Sequence, residues 1–199
     1  MLYLASSNPN KIKEFQEIMP EFSFELLDKD VAKELENVES GTTFLENAFL
    51  KAKKAHELTN ATVIADDSGL EIEVLNGFPG IYSARFAAPI TDYKIKNQLI
   101  LDRLQGIENR KAQFHCALVI ITKDGKVYKG EGIMEGSIAY EASGNKGFGY
   151  DPLFIPKGYQ ESVACLDSGV KNKISHRYRA YCDLKSKLPE SFLRRECHD

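Results

Sequence analysis

The 199-residue sequence is defined first by what it does not contain. It has no apolar run approaching the ~20 residues that a membrane-spanning helix needs, and its first residues, MLYLASSNPNK, carry no basic segment and too short an apolar stretch for a secretory leader. Its four cysteines (Cys116, Cys165, Cys182 and Cys197) show no CxxC spacing, which argues against both a zinc site and a disulfide framework. They are expected to be reduced, semi-buried small residues, and the expected location is the cytoplasm. There is no surplus of positive charge: the formal net charge of −3 removes the electrostatic footprint of a protein that wraps duplex nucleic acid. A local cluster of lysines and arginines can still hold an anionic small molecule. Repeats, low-complexity tracts and Pro/Gly/Ser linkers are absent as well. What remains, with 43% hydrophobic and 28% charged residues, is an ordinary globular chain long enough for one domain of generous size.

Hydrophobic periodicity predicts an α/β protein. Leu2 to Ala5 reads as a short buried strand. Asn8 then caps a helix with Pro9 in its first turn, and Ile12, Phe15, Ile18 and Met19 recur at helical spacing. Thr43 and Glu46 form a capping-box pattern ahead of an apolar stripe made by Phe44, Leu45, Ala48, Phe49, Ala52 and Ala55. Thr62–Ala65 and Leu70–Val74 are two strand candidates. FPGIYSARF (78–86) is irregular, and Thr91–Leu104 is helical. Phe114–Ile121 and the segment from Lys126 form a long antiparallel hairpin at Asp124-Gly125. A helix from about Ser175 to Leu188 is stopped by Pro189. The sheet is therefore mixed.

Four constellations are chemically suggestive. SSNPNK ends the first strand and opens a helix, so free backbone N–H groups, the positive helix end, Ser6, Ser7, Asn8 and Lys11 together suit phosphate oxygens; an ordinary capped helix with a surface lysine is the alternative. Glu39, Asp66 and Asp67 offer carboxylates, and one or two of these suffice for Mg²⁺, which keeps several waters. Neighbours on a strand point to opposite faces, so Asp67 is expected to face metal and water while Asp66 braces a turn with Ser68 and Gly69. GNKGFGYDPLF (144–154) lets a backbone approach a flat ligand and an aromatic ring stack on it, or it is a glycine-rich hairpin end with core aromatics. Lys171 and Ser175-His176-Arg177 gather donors near a helix N-terminus, where positive side chains gain nothing from the dipole; an anion or an acceptor-rich base would explain them, as would a solvated basic face. His115-Cys116 lies in an apolar strand and reads as structural. The tail LRRECHD is expected to be frayed and solvated.

Taken in order, S-S-N-P-N-K, E-S-G-T-T-F-x-E-N-A, I-A-D-D-S-G-L, G-x-P-G-I-Y-S-A-R, G-F-G-Y-D-P and I-S-H-R resemble the motifs of the inosine/xanthosine triphosphate pyrophosphatase family. The resemblance covers nearly the whole chain; the family commonly has T-G-N where this sequence has Ser6-Ser7-Asn8. It implies an elongated mixed β-sheet with flanking helices, forming two lobes around a central substrate cleft. It further implies a cytoplasmic homodimer that hydrolyses deaminated purine nucleoside triphosphates (ITP, dITP, XTP) to the monophosphate and pyrophosphate with Mg²⁺, without nucleic-acid or membrane partners. By motif, Ser6 to Lys11 and Lys171 would hold phosphates, and Glu39 and Asp67 the metal, with Asp67 as general base. Ser68, Phe148, Gly149, Tyr150, Asp151, His176 and Arg177 would complete the nucleotide site. Donors from His176 or Arg177 would satisfy the oxygen at position six of hypoxanthine or xanthine, whereas adenine presents an amino group there. Two rivals are a non-catalytic module that senses purine triphosphates and a related pyrophosphatase for modified pyrimidine or standard nucleotides.

Overall fold

The computed structural model describes residues 2–35 and 38–196. Among them, six strands, β1 (Leu2–Leu4), β2 (Phe24–Leu26), β3 (Thr62–Ile72), β4 (Lys111–Ile121), β5 (Val127–Ile138) and β6 (Phe154–Pro156), form a sheet in the order β2-β1-β3-β4-β5-β6. β1 runs parallel to β2 and β3, while β6 is antiparallel to β5, so the sheet is mixed, as the sequence predicts. The helices are α1 (Pro9–Ile18), α2 (Lys29–Glu34), α3 (Phe44–Thr59), α4 (Tyr93–Arg103), α5 (Ser168–Ile174), α6 (His176–Lys187) and α7 (Glu190–Glu196). The short elements β2, α2, β6 and α5 have too few residues to show a period, and the sequence does not announce them.

Local chemistry explains the main boundaries. The Asn8 side chain accepts from the N–H groups of Asn10 and Lys11 and starts α1, with Pro9 in its first turn. Thr43 accepts from Glu46 N–H to start α3, and Asn60 ends that helix in the left-handed conformation, φ 49°. The Glu46 carboxylate returns to Thr42, accepting from its N–H at 2.7 Å and its hydroxyl at 2.9 Å, which extends the capping box to the residue before the cap.

The chain divides into two compact units, each with its own core. The first takes in the described residues up to Asp67, Cys116–Gly132 and those from His176 onward; the second is Ser68–His115 with Ile133–Ser175. In the first, Leu2, Leu4, Phe15, Ile64, Leu118, Ile120 and Leu184 lie in one cluster. In the second, Leu70, Ile72, Ile100, Phe114, Met134, Ile138 and Phe154 form another. β3, β4 and β5 each pass from one unit to the other along their length. In the first unit β5 meets α6 at very short range: a Cβ on Gly132 would stand 2.2 Å from the backbone nitrogen of Ala180, so glycine is what permits the contact.

Two sequence expectations are corrected. Thr62–Ala65 and Leu70–Val74 are not separate strands with a turn at 66–69; residues 62–72 are one continuous, largely buried strand. Basic side chains compensate its carboxylates within the fold, so the chain need not turn to expose them. The part of the tail at 193–196 is helical and not frayed: α7 continues to Glu196, and Phe192 and Leu193 pack on the first core, while residues 197–199 lie outside the described residues. The Pro189 carbonyl accepts from the N–H of Phe192 and Leu193, so the proline that stops α6 also opens α7. Cys116, Cys165 and Cys182 are free thiols, from buried to exposed; Cys197 lies outside the described residues.

Candidate active site

In the first unit, the parallel register pairs Leu4 with Ile64, so two residues further on Ser6 and Asp66 leave the same edge of the pairing. This sets the SSNPNK loop beside the acidic stretch. Ser6 Oγ accepts from Asn8 N–H at 3.3 Å, and one turn into α1 Lys11 Nζ lies 2.8 Å from Asp66 Oδ2.

Asp66 is a mid-strand carboxylate at the centre of a cationic cage, not a turn brace. Arg177 reaches it at 3.9 Å, and its backbone carbonyl accepts from Lys51 Nζ at 2.8 Å. Burial alone would push this carboxyl up; Lys11, Arg177 and Lys51 overcome it and hold the group at about 2. Arg177 is itself pinned by an ion pair to Glu14 of α1.

Asp67, the next residue on the strand, behaves oppositely. Only 6% of it is exposed, and burial pushes its carboxyl up to about 6. The charges of Glu39 and Asp66 add to that rise, while Lys51 and Lys11 oppose it. Lys51 Nζ is 2.5 Å from Glu39 Oε1. Glu39 and Asp67 are thus electrostatically coupled hard oxygen donors, the chemistry that Mg²⁺ selects. No group of three or more His, Cys, Asp or Glu side chains poised for a metal occurs among the described residues. Carboxylate oxygens are the donor type that a hard cation such as Mg²⁺ takes, and one or two of them suffice when the ion keeps its waters.

In the second unit, Asp151 organises the glycine-rich loop. Its Oδ2 accepts from Phe148 N–H at 2.8 Å and from Lys171 Nζ at 2.6 Å. A Cβ on Gly147, whose φ is +72°, would fall 2.1 Å from that oxygen, so the loop needs glycine there. Lys171 Nζ lies 4.8 Å from the centre of the Phe148 ring. Tyr150 serves the core: it is buried, its ring stands edge-on to Tyr93, and its hydroxyl donates to Ser83 O at 2.7 Å. The stacking reading of this loop therefore rests on Phe148, with Gly149 bound through its carbonyl to Asn97 Nδ2 at 3.2 Å. Ser68 follows Asp67 on β3 and opens the second unit.

The basic cluster around residue 175 also differs from its sequence reading. Lys171 sits on α5, while His176 and Arg177 open α6 in the first unit. All three are at least nine-tenths buried. Asp151 answers Lys171 in the last turn of α5, and Glu14 with Asp66 answers Arg177 at the start of α6, so the chain's own carboxylates compensate both cations. Sequence reasoning missed Lys51 and Glu14. The only signal for either was a charged residue beside an apolar helical stripe. A cavity of about 760 Å³ in the second unit is lined by Glu71, Lys111, Gln113, Glu135 and Tyr159 among others, and one of about 860 Å³ in the first unit by Tyr3, Asn60, Thr122 and Lys123 among others; neither is lined by the site residues described above.

Residues 2–187 match the model of the Ham1 family. The chain is 43% identical over 190 residues to a dITP/XTP pyrophosphatase of an Exiguobacterium species, covering 94% of this chain and 96% of that protein. It is equally identical over 195 residues to the dITP/XTP pyrophosphatase of Bacillus anthracis, covering 96% of each. The solved structure of the Staphylococcus aureus Ham1 protein superposes with a TM-score of 0.81 at 37% identity, covering 98% of both chains.

Proposed function

The chain belongs to the Ham1 family, and from that premise we propose that it hydrolyses ITP, dITP and XTP to the monophosphate and pyrophosphate, keeping deaminated purines out of nucleic acid. The single observation that carries the chemistry is the buried Asp67 carboxyl beside the Lys51–Glu39 pair, a group placed among charges where it can hold a cation and take a proton from water. Asp67 would take the proton of a water directed at the α-phosphorus, with pyrophosphate leaving on the opposite side. Ser6, Ser7, Asn8 and Lys11 would hold phosphate oxygens, Asp66 keeping Lys11 in place. Glu39 and Asp67 would hold Mg²⁺, which when bound supplies charge neutralisation at the triphosphate. Ser68, Phe148, Gly149, Tyr150, Asp151, Lys171, His176 and Arg177 are carried as the remaining nucleotide contacts, Tyr150 through its backbone.

Selectivity follows from hydrogen-bond polarity. A donor of His176 or Arg177 meets the oxygen at position six, whereas the adenine amino group leaves two donors facing each other, at a cost on the order of 1–3 kcal/mol per unmatched buried pair. The proposal includes a cytoplasmic homodimer. Sedimentation equilibrium should return the mass of two chains, and the mass of one would remove that part. No helix among the described residues is long and apolar enough to cross a membrane. The test of function is pyrophosphate release from ITP, XTP, GTP and ATP with Mg²⁺, extended to modified pyrimidine triphosphates. Release from ITP and XTP with ATP left intact is expected. Binding without turnover would make the protein a sensor of purine triphosphates, and preference for a pyrimidine would replace the substrate class.

A further inference from the structure

Glu39 lies in a segment without regular structure, just ahead of α3, and such a segment does not place a carboxylate unless something grips the chain. Lys51 grips the charge, with Nζ 2.5 Å from Glu39 Oε1. One helical turn before Lys51, on the same face of α3, Asn47 grips the backbone: its Oδ1 accepts from Gly41 N–H at 2.8 Å. The contact is built for close fit. A Cβ on residue 41 would stand 2.6 Å from Glu46 Cβ and 2.9 Å from Asn47 Oδ1, so glycine is required for the bond to form at that length.

Asn47 is 0% exposed, and its Nδ2 has no acceptor among the described residues. A buried amide left half-satisfied costs stability, and an apolar side chain would fill the same space without that cost. Packing therefore does not explain an asparagine here; the Gly41 bond does. We infer that Asn47 is a positioning residue that fixes the backbone two residues after Glu39, and so sets where the Glu39 carboxylate meets Lys51 and, with it, the cation requirement of the enzyme. The inference rests on the reading of Glu39 as a Mg²⁺ ligand. Asn47 acts on that ligand through two residues of backbone, one step further out than a group bonded to the ligand itself, whose substitution in other metal sites costs 10–100-fold in metal affinity or activity, so an effect at the lower end of that range is expected.

The experiment uses the full-length chain and four variants, N47A, N47D, G41A and E39Q, each read two ways. One reading is the Mg²⁺ concentration for half-maximal pyrophosphate release from ITP. The other is amide exchange at Gly41 measured by NMR without metal or substrate. N47A should raise the Mg²⁺ requirement roughly tenfold with the KM for ITP at saturating Mg²⁺ near the parent value. It should also speed exchange at Gly41 while residues inside α3 stay protected. N47D keeps an oxygen acceptor in place and should retain the Gly41 protection. A folded N47A with unchanged Mg²⁺ requirement and a protected Gly41 overturns the inference. Should N47A fail to fold, G41A breaks the same bond from the other side and is read identically. E39Q separates the two levels. If E39Q leaves the Mg²⁺ requirement unchanged, the ligand reading of Glu39 fails; if E39Q raises it and N47A does not, only the role of Asn47 fails.

Discussion

Asp66 and Asp67 are chemically identical neighbours whose carboxyls the fold drives in opposite directions, to about 2 and about 6. The difference is the balance at each: Lys11, Arg177 and Lys51 outweigh burial at Asp66, whereas at Asp67 burial with Glu39 and Asp66 outweighs Lys51 and Lys11. D67N removes a charge that burial disfavours, so the variant should fold with stability equal to or above the parent while turnover falls at least about 100-fold, the lower range for a lost general base. Steady-state kinetics and thermal melting check both halves, and near-parental turnover would remove Asp67 as the base. Lys11 is 17% exposed and bound to Asp66, reachable but pre-oriented. K11A should raise the KM for ITP by about 10–100-fold, since a hydrogen bond to a charged group is worth ~1.5–3 kcal/mol; an unchanged KM takes Lys11 out of the phosphate site.

Elements in this protein meet through glycine where their backbones touch. Gly132 on β5 faces the backbone of α6 at His176 and Ala180, and α6 carries Arg177. G132A should cost about 3 kcal/mol in urea unfolding, at the upper end for overpacking. Gly169→Ala, inside α5 with open space around it, should be neutral or stabilising by up to about 1 kcal/mol. The turn between β4 and β5 is held electrostatically. Hydrogen bonds from Lys126 and Thr122 keep the Asp124 carboxyl at about 2, below its ordinary 3.8. A depressed acid contributes stability that is complete above its unfolded value and is lost as pH falls through the folded one. D124N should therefore lower the Tm at pH 7, and the gap from the parent should close between about pH 4 and pH 2; a gap independent of pH would show that the turn does not depend on this charge.

At the scale of the whole molecule, the two clusters of buried side chains share no residue among the described residues, although three strands run through both units. Ile120→Val in the first and Ile138→Val in the second should each cost about 0.5–1.5 kcal/mol. The double variant should equal their sum to within about 0.5 kcal/mol, as read from denaturant midpoints at constant m-value; a larger departure would show the cores coupled through the shared strands. Family membership extends to residue 187, so α7 lies beyond the matched range while still packing Phe192 and Leu193 on the first core.

Much was legible in the residues themselves. Caps at Asn8 and Thr43, the helical stripe of α3 and the Asp124-Gly125 turn are written in short-range chemistry, because their partners lie within four residues. The order of six motifs identified the family, and strand alternation alone separated Asp66 from Asp67. Only the tertiary structure decided which charges surround each aspartate. Whether IADDSGL turns or runs straight depends on cations more than a dozen residues away, and a lone strand gives no sign that Lys11, Lys51 and Arg177 will arrive to compensate it. The same holds for Arg177: its sequence neighbours are polar or basic and suggest an exposed anion site, yet Glu14, 163 positions earlier, takes its charge inside the fold. Charge compensation between distant segments is a property of the folded chain, since burial sets the cost of each charge and the fold alone decides which opposite charge is near enough to offset it.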